Sequence, residues 1–174
     1  MQLTRAAATL ADLGAVRTEV AGLAAHVEEA GLLMRAVAER FDRPIHEGYT
    51  VVRQHLAARL DMPDLSPSVR EAAEGQRLIT AAREHLQTVL DRGFATPRQP
   101  GLYGNLLPDS SAGELTQRAL KQVDFVSKVL AEPKVAAGRV AIQARYAEHW
   151  IDSPLAAWKQ LVKGVDATIG LLGG

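Results

Sequence analysis

The sequence has no cysteine, few aromatic residues, no excess of either charge and no long apolar run, and each shortage removes a class of chemistry. Without cysteine there is no disulfide, no thiolate nucleophile, no iron–sulfur cluster and no thiolate-bound zinc. Lys plus Arg number 20 and Asp plus Glu number 20, so no global field draws in nucleic acid, an anionic membrane or an acidic substrate. No apolar stretch approaches the roughly 20 residues of a membrane helix, and the Ala-rich start carries Arg5 with no continuous apolar core after it. The expectation is a soluble chain without membrane contact, compatible with the cytoplasm. Aromatic residues make up 5% of the chain, and alanine is abundant, a composition that suits closely packed helices better than a sheet core.

The 174 residues are expected to form one all-helical domain, long enough to bury a core without metal or disulfide. Its organising stretch is 3–41. Leu3, Ala6, Leu10, Leu13, Val16, Val20, Leu23, Val27, Ala30, Met34, Val37 and Phe41 follow a 3,4 alternation interrupted by one extra step of three beside Gly14, the pattern of a heptad seam sustained after Val16. Pro44 is expected to end that helix. At about 1.5 Å per residue it is about 60 Å long, against about 40 Å across for a compact globule of this size. Either another element of the chain covers the seam or a partner does. Val20, Leu23, Val27, Met34, Val37 and Phe41 are therefore the candidate interaction seam. Gly14, Gly22 and Gly31 beside it are read as points of close helix approach, with a local bend at Gly14 as the second reading.

Beyond Pro44, a short amphipathic helix is predicted, with Ile45, Tyr49, Val52, Leu56 and Leu60 on one face. The turn 62–67 precedes a capping box, Ser68 with Glu71. The helix it opens carries Val69, Ala72, Ile79, Ala82, Leu86 and Leu90, with Gln76 interrupting the stripe, and Gly93 is expected to close it. Residues 94–110 contain Pro97, Pro100 and Pro108 and read as one long irregular loop. Its Phe94, Leu102, Tyr103 and Leu106 are too apolar for a free linker and are the candidate loop contacts. Ser111 and Glu114 form a second capping box. Leu115, Ala119, Gln122, Val126 and Val129, then Val140, Ile142, Tyr146 and Trp150, predict a second long element over 112–151, kinked or jointed near Pro133. Ser153 and Pro154 are expected to start a last helix bearing Leu155, Trp158, Val162, Val165, Ile169 and Leu172. The architecture expected is an elongated bundle of five or six helices with two long ones, 3–41 and 112–151.

The searches for catalytic patterns are negative. None of His26, His46, His55, His85 and His149 follows a Glu by three positions, which excludes the Glu-x-x-His pattern of di-metal bundles. His26 with Glu29 and His149 with Asp152 are the only metal-compatible remnants. There is no His-Glu-x-x-His, no Gly-x-Ser-x-Gly and no phosphate-cradling Gly-Lys-Ser/Thr. Glu28 and Glu29 are adjacent on a helix and splay apart. No catalytic residue, metal or cofactor is therefore expected.

All five lysines lie in the last third of the chain, so the early helices rely on arginine, which suits directional ion pairs. Arg77, Arg83, Arg92 and Arg98 flank the loop with Tyr103 available for stacking, the best nucleic-acid candidate, diluted by Glu74, Glu84 and Asp91. The favoured reading is a non-enzymatic structural or interaction protein that works by helix-face packing. It would be a self-assembling subunit or an adaptor, partnered by another copy or by another helical protein. The alternatives are a nucleic-acid-binding subunit using those arginines, and a small-molecule binder or enzyme with its site under the 94–110 loop.

Overall fold

A computed structural model describes residues 2–58, 65–95 and 111–173, with side chains outside the description at 2–9, 43–53, 55–58, 93–95 and 111. Among the described residues the protein is all-helical, with four helices: α1 (Gln2–Ala58), α2 (Val69–Ala95), α3 (Ser111–Leu130) and α4 (Ala137–Gly173). They pack in a ring in which α1 meets α2 and α4, and α3 meets the same two. Paired residues run in opposite directions across every interface. Arg40 meets Glu74 while His26 meets His85, and Gln76 meets Ser127 while Arg83 meets Asp124. Thr116 near the start of α3 meets Trp158 late in α4, and Arg17 meets Asp166 while Arg35 meets Glu148. The topology is an up-down-up-down four-helix bundle.

The heptad seam supplies its core. Leu13, Val20, Leu23, Val27, Ala30, Met34, Val37 and Phe41 are all buried, and one hydrophobic cluster joins Val20 to Phe41 with residues of the other three helices. The candidate interaction seam is thus covered within the chain.

Helix ends depart from the proline-based expectation at Pro44 and Pro154. α1 does not stop at Pro44 but runs to Ala58, so the predicted short helix after Pro44 is a continuation of α1. α4 runs through Pro154, which is buried inside it. A proline forfeits one i→i−4 hydrogen bond and bends a helix, yet packing on both sides of it can hold the helix together. Pro133 acts the other way. Of the two forms expected for 112–151, kinked or jointed at Pro133, the structure has the jointed one: α3 ends at Leu130, the chain turns over 131–136, and α4 returns antiparallel. Lys134 at φ 54° shows why a kink does not suffice, since a residue in the left-handed region turns the chain out of helical geometry. The expected long element 112–151 is thus two helices, the second of which, α4, runs on to Gly173, and the described helices number four. α2 also passes Gly93 to reach Ala95.

The turns are tied to one another. Ser68 caps α2 as its capping box predicted, accepting from the Glu71 N–H at 3.1 Å. The Ala137 N–H, at the first turn of α4, donates to the Leu65 carbonyl at 2.9 Å, which satisfies one of the donors that a helix start leaves open. Arg139 and Glu132 bridge the α3–α4 turn.

The α4 core is built from small residues. Ala137, Ala141, Ala144 and Ala147 are buried with Val140 and Ile151, whereas Ile142 is 61% and Tyr146 50% exposed. The stripe read as Val140, Ile142, Tyr146 and Trp150 is therefore corrected: alanines face inward, allowing close helix approach, and the bulky residues face out. On α3 the inward face is likewise centred on Thr116, Leu120 and Val123 rather than on Leu115 and Gln122. Val69, expected on the α2 core face, is 90% exposed.

Candidate functional site

Three groups of polar residues that face one another across helices bear on function. The first is a line of ion pairs on the α1–α4 flank. Arg17 pairs with Asp166 and Arg35 with Glu148, each at 2.8 Å, Glu28 with Lys159 at 3.8 Å, and Asp42 with Arg145. Charge alternates in sign along both helices across these four pairs. Exposed pairs add little stability, and the alternation suits this antiparallel register over one in which like charges meet. The Glu148 carboxylate, by hydrogen bonding and charge, raises the Arg35 guanidinium above its ordinary pKa.

The second group surrounds an open cleft of about 670 Å³ between Arg40 of α1 and the first turns of α2, lined also by Ser68, Arg70, Glu71, Glu74 and Arg77. Arg77 donates through Nε to Glu74 at 3.0 Å, and Arg40 lies 3.7 Å from the same carboxylate. The Arg77 hydrogen bond and the charges of Arg77, Arg40 and Arg70 hold the Glu74 carboxyl below the usual carboxylate range, against the opposing effect of burial. Glu74 in turn raises the Arg77 guanidinium, chiefly through the hydrogen bond.

These pairs bear on the candidate nucleic-acid face. Arg77 is matched by Glu74, Arg83 by Asp124 at 3.0 Å, and Arg92 is also engaged. Arg98 lies outside the described residues. Of the candidate loop contacts, Leu102, Tyr103 and Leu106 also lie outside them, and Phe94 belongs to the last turn of α2, its side chain outside the description.

The third group is the one that sequence spacing missed. His26 of α1 and His85 of α2 meet with Nδ1 atoms 2.8 Å apart in a half-buried hydrogen bond, their ring centroids 5.1 Å apart and their planes tilted by 42°. Burial, then His85, then the Arg92 charge hold the His26 imidazole below its ordinary value. The partner of His26 is 59 positions away, beyond any local pattern. The periodicity of α1 and α2 put both histidines beside the core stripes, and only the packing of the two helices put them in contact. His149 and Asp152 stand 4.0 Å apart on an exposed surface. No group of three or more His, Cys, Asp or Glu among the described residues is placed to hold a metal ion.

Buried polar groups are otherwise satisfied. Gln76, the polar break in the α2 stripe, exchanges two hydrogen bonds with Ser127 of α3, its amide donating to the Ser127 carbonyl at 3.0 Å and accepting from the Ser127 hydroxyl at 2.8 Å. Among the described residues no buried side-chain nitrogen or oxygen lacks a partner, and no helix is long and apolar enough to cross a membrane. Among the described residues, the outward face of α4 leaves apolar side chains open: Ile142, Tyr146 and half-buried Trp150 recur every four residues, and the Tyr146 and Trp150 rings meet edge to face at 6.2 Å. No protein-family model matches this chain, and no curated protein or solved structure shows significant similarity to it.

Proposed function

We propose that this chain is a non-enzymatic helical structural or interaction protein that works through helix-face packing, as a self-assembling subunit or an adaptor. The observation that supports this reading is the outward stripe of α4. Ile142 and Tyr146 are at least half exposed, and Trp150 continues their line. Spacing of this kind is that of anchors presented to another helix, and aromatic residues are enriched at the centres of protein interfaces. The heptad seam of α1 plays no part in the contact, because Val20, Leu23, Val27, Met34, Val37 and Phe41 are buried inside the bundle.

Light scattering at micromolar concentration tests the reading on the wild-type chain and on the variant Ile142→Glu/Tyr146→Glu. The expected result is a multimeric wild type and a monomeric variant of equal helix content, since both positions are exposed and tolerate charge. A wild-type monomer throughout the concentration range, with no change on substitution, overturns self-assembly. Adaptor binding would then be sought on the same face.

A further inference from the structure

The His26–His85 contact stands apart from every other polar pair across the helices. The ion pairs hold groups of opposite charge and the Gln76–Ser127 pair holds neutral groups, neither of which changes with pH near neutrality. Two imidazoles do change. A hydrogen bond between two Nδ1 atoms needs one ring to carry the proton and the other to accept it. When both rings are neutral, one is the Nδ1–H tautomer and the other the Nε2–H tautomer. When one ring is an imidazolium it donates to its neutral neighbour, and the bond persists. A second proton removes the acceptor, leaving two cations whose Nδ1 atoms are 2.8 Å apart.

We infer that the His26–His85 pair is a proton-operated latch between α1 and α2, closed while at least one ring is neutral and opened by the second proton. Its surroundings favour opening in acid. From α2 the pair faces Arg92, two helical turns beyond His85, whose positive charge opposes a further proton. Along α1 the nearest acidic positions are Glu28, which pairs with Lys159, Glu29, one turn on, and Glu19, two turns back, and on α2 Glu84 adjoins His85 and Asp91, bonded to Gln87, adjoins Arg92; all five side chains are exposed. α3 packs on the other flank of α2, where Arg83 takes Asp124. α4 packs on the other flank of α1, where Arg17, Glu28, Arg35 and Asp42 hold its charges. Because both rings are half-buried, water compensates the second charge poorly, and parting the helices is the route to its hydration. The apolar residues beside the pair are Val27 of α1 and Leu86 of α2, both fully buried, so opening at this level exposes part of the seam.

Hydrogen exchange at pH values from 8 to 5 tests the latch on the full chain, with each rate corrected for the intrinsic pH dependence of exchange. Amides of 23–30 and 82–89 are expected to open more readily in acid, by about tenfold per pH unit once opening is coupled to uptake of one proton, while amides of the α3–α4 interface keep their protection. In His26→Gln/His85→Gln, whose amides hydrogen-bond without titrating, that dependence is expected to vanish. Identical pH profiles in the two proteins overturn the proposal. Imidazole NMR of the wild type gives an independent measurement that does not depend on the variant folding: the His26 ring titrates below its ordinary value as opening sets in. A wild type whose His26 ring titrates at the ordinary value, with pH-independent exchange at 23–30, also overturns it.

Discussion

Trp158 of α4 donates its indole N–H to the Thr116 hydroxyl of α3 at 3.0 Å, and that hydroxyl donates onward to the Ala112 carbonyl at 2.7 Å. Thr116 is fully buried, so this relay is how the α3–α4 interface holds two polar side chains without an orphaned group. Thr116→Val is expected to strand the indole donor at a cost of about 1–3 kcal/mol, more than the roughly 1 kcal/mol of an ordinary hydrogen bond. The double variant Thr116→Val/Trp158→Phe removes donor and acceptor together and should lose less than the sum of the single changes. Urea unfolding of the four proteins in the cycle gives the coupling.

Glycines in this bundle are not equivalent. A Cβ on Gly75 would lie 2.9 Å from the Phe41 ring and from a Leu130 methyl, and Phe41 is fully buried. Gly75→Ala should therefore destabilise by about 1–3 kcal/mol through overpacking, despite the better helix propensity of alanine. Gly14 and Gly22, expected from the sequence to mark close helix approach, have nothing within 4 Å of a Cβ. Alanine at either is expected to stabilise by about 0.5–1 kcal/mol. Thermal melts of the three single variants should separate in sign.

Lys134 holds φ at 54° in the α3–α4 turn, a conformation that costs a side-chain-bearing residue about 1 kcal/mol or more. Lys134→Gly is expected to recover roughly that amount, less the entropy that glycine gains in the unfolded chain. Lys134→Val should destabilise, because branching at Cβ crowds the left-handed region further. Denaturation midpoints of the two variants on either side of wild type would establish the turn.

The Glu74 carboxyl, held below its ordinary value by Arg77 first and by Arg40 and Arg70 as well, sets a pH dependence of defined sign. A carboxyl with a lower pKa folded than unfolded stabilises the fold above its unfolded value. That contribution is lost as pH falls through the folded one. Arg77→Gln should move the Glu74 midpoint upward in carboxyl NMR and shrink this acid-side loss. An unchanged midpoint would show that Arg40 and Arg70 suffice.

The sequence by itself determined that the chain is helical and which face of α1 is buried. Periodic branched and long apolar residues from Leu13 to Phe41 can be hidden only on one side of a helix, and the structure buries them there. Ser68 as the cap of α2 was equally legible, because the hydrogen bond that makes it a cap is local. Proline was the misleading signal. A backbone that lacks one donor can stay helical or turn, and only the surrounding packing selected continuity at Pro154 and reversal at Pro133. Residue size misled on α4. Hydrophobicity favours Ile142 and Tyr146 as core, whereas helices that approach closely admit Ala141, Ala144 and Ala147 instead. The contacts between Trp158 and Thr116, Gly75 and Phe41, and His26 and His85 join different helices at separations that no local periodicity encodes. They exist because four antiparallel helices settled into one register, and that register is a property of the packed bundle.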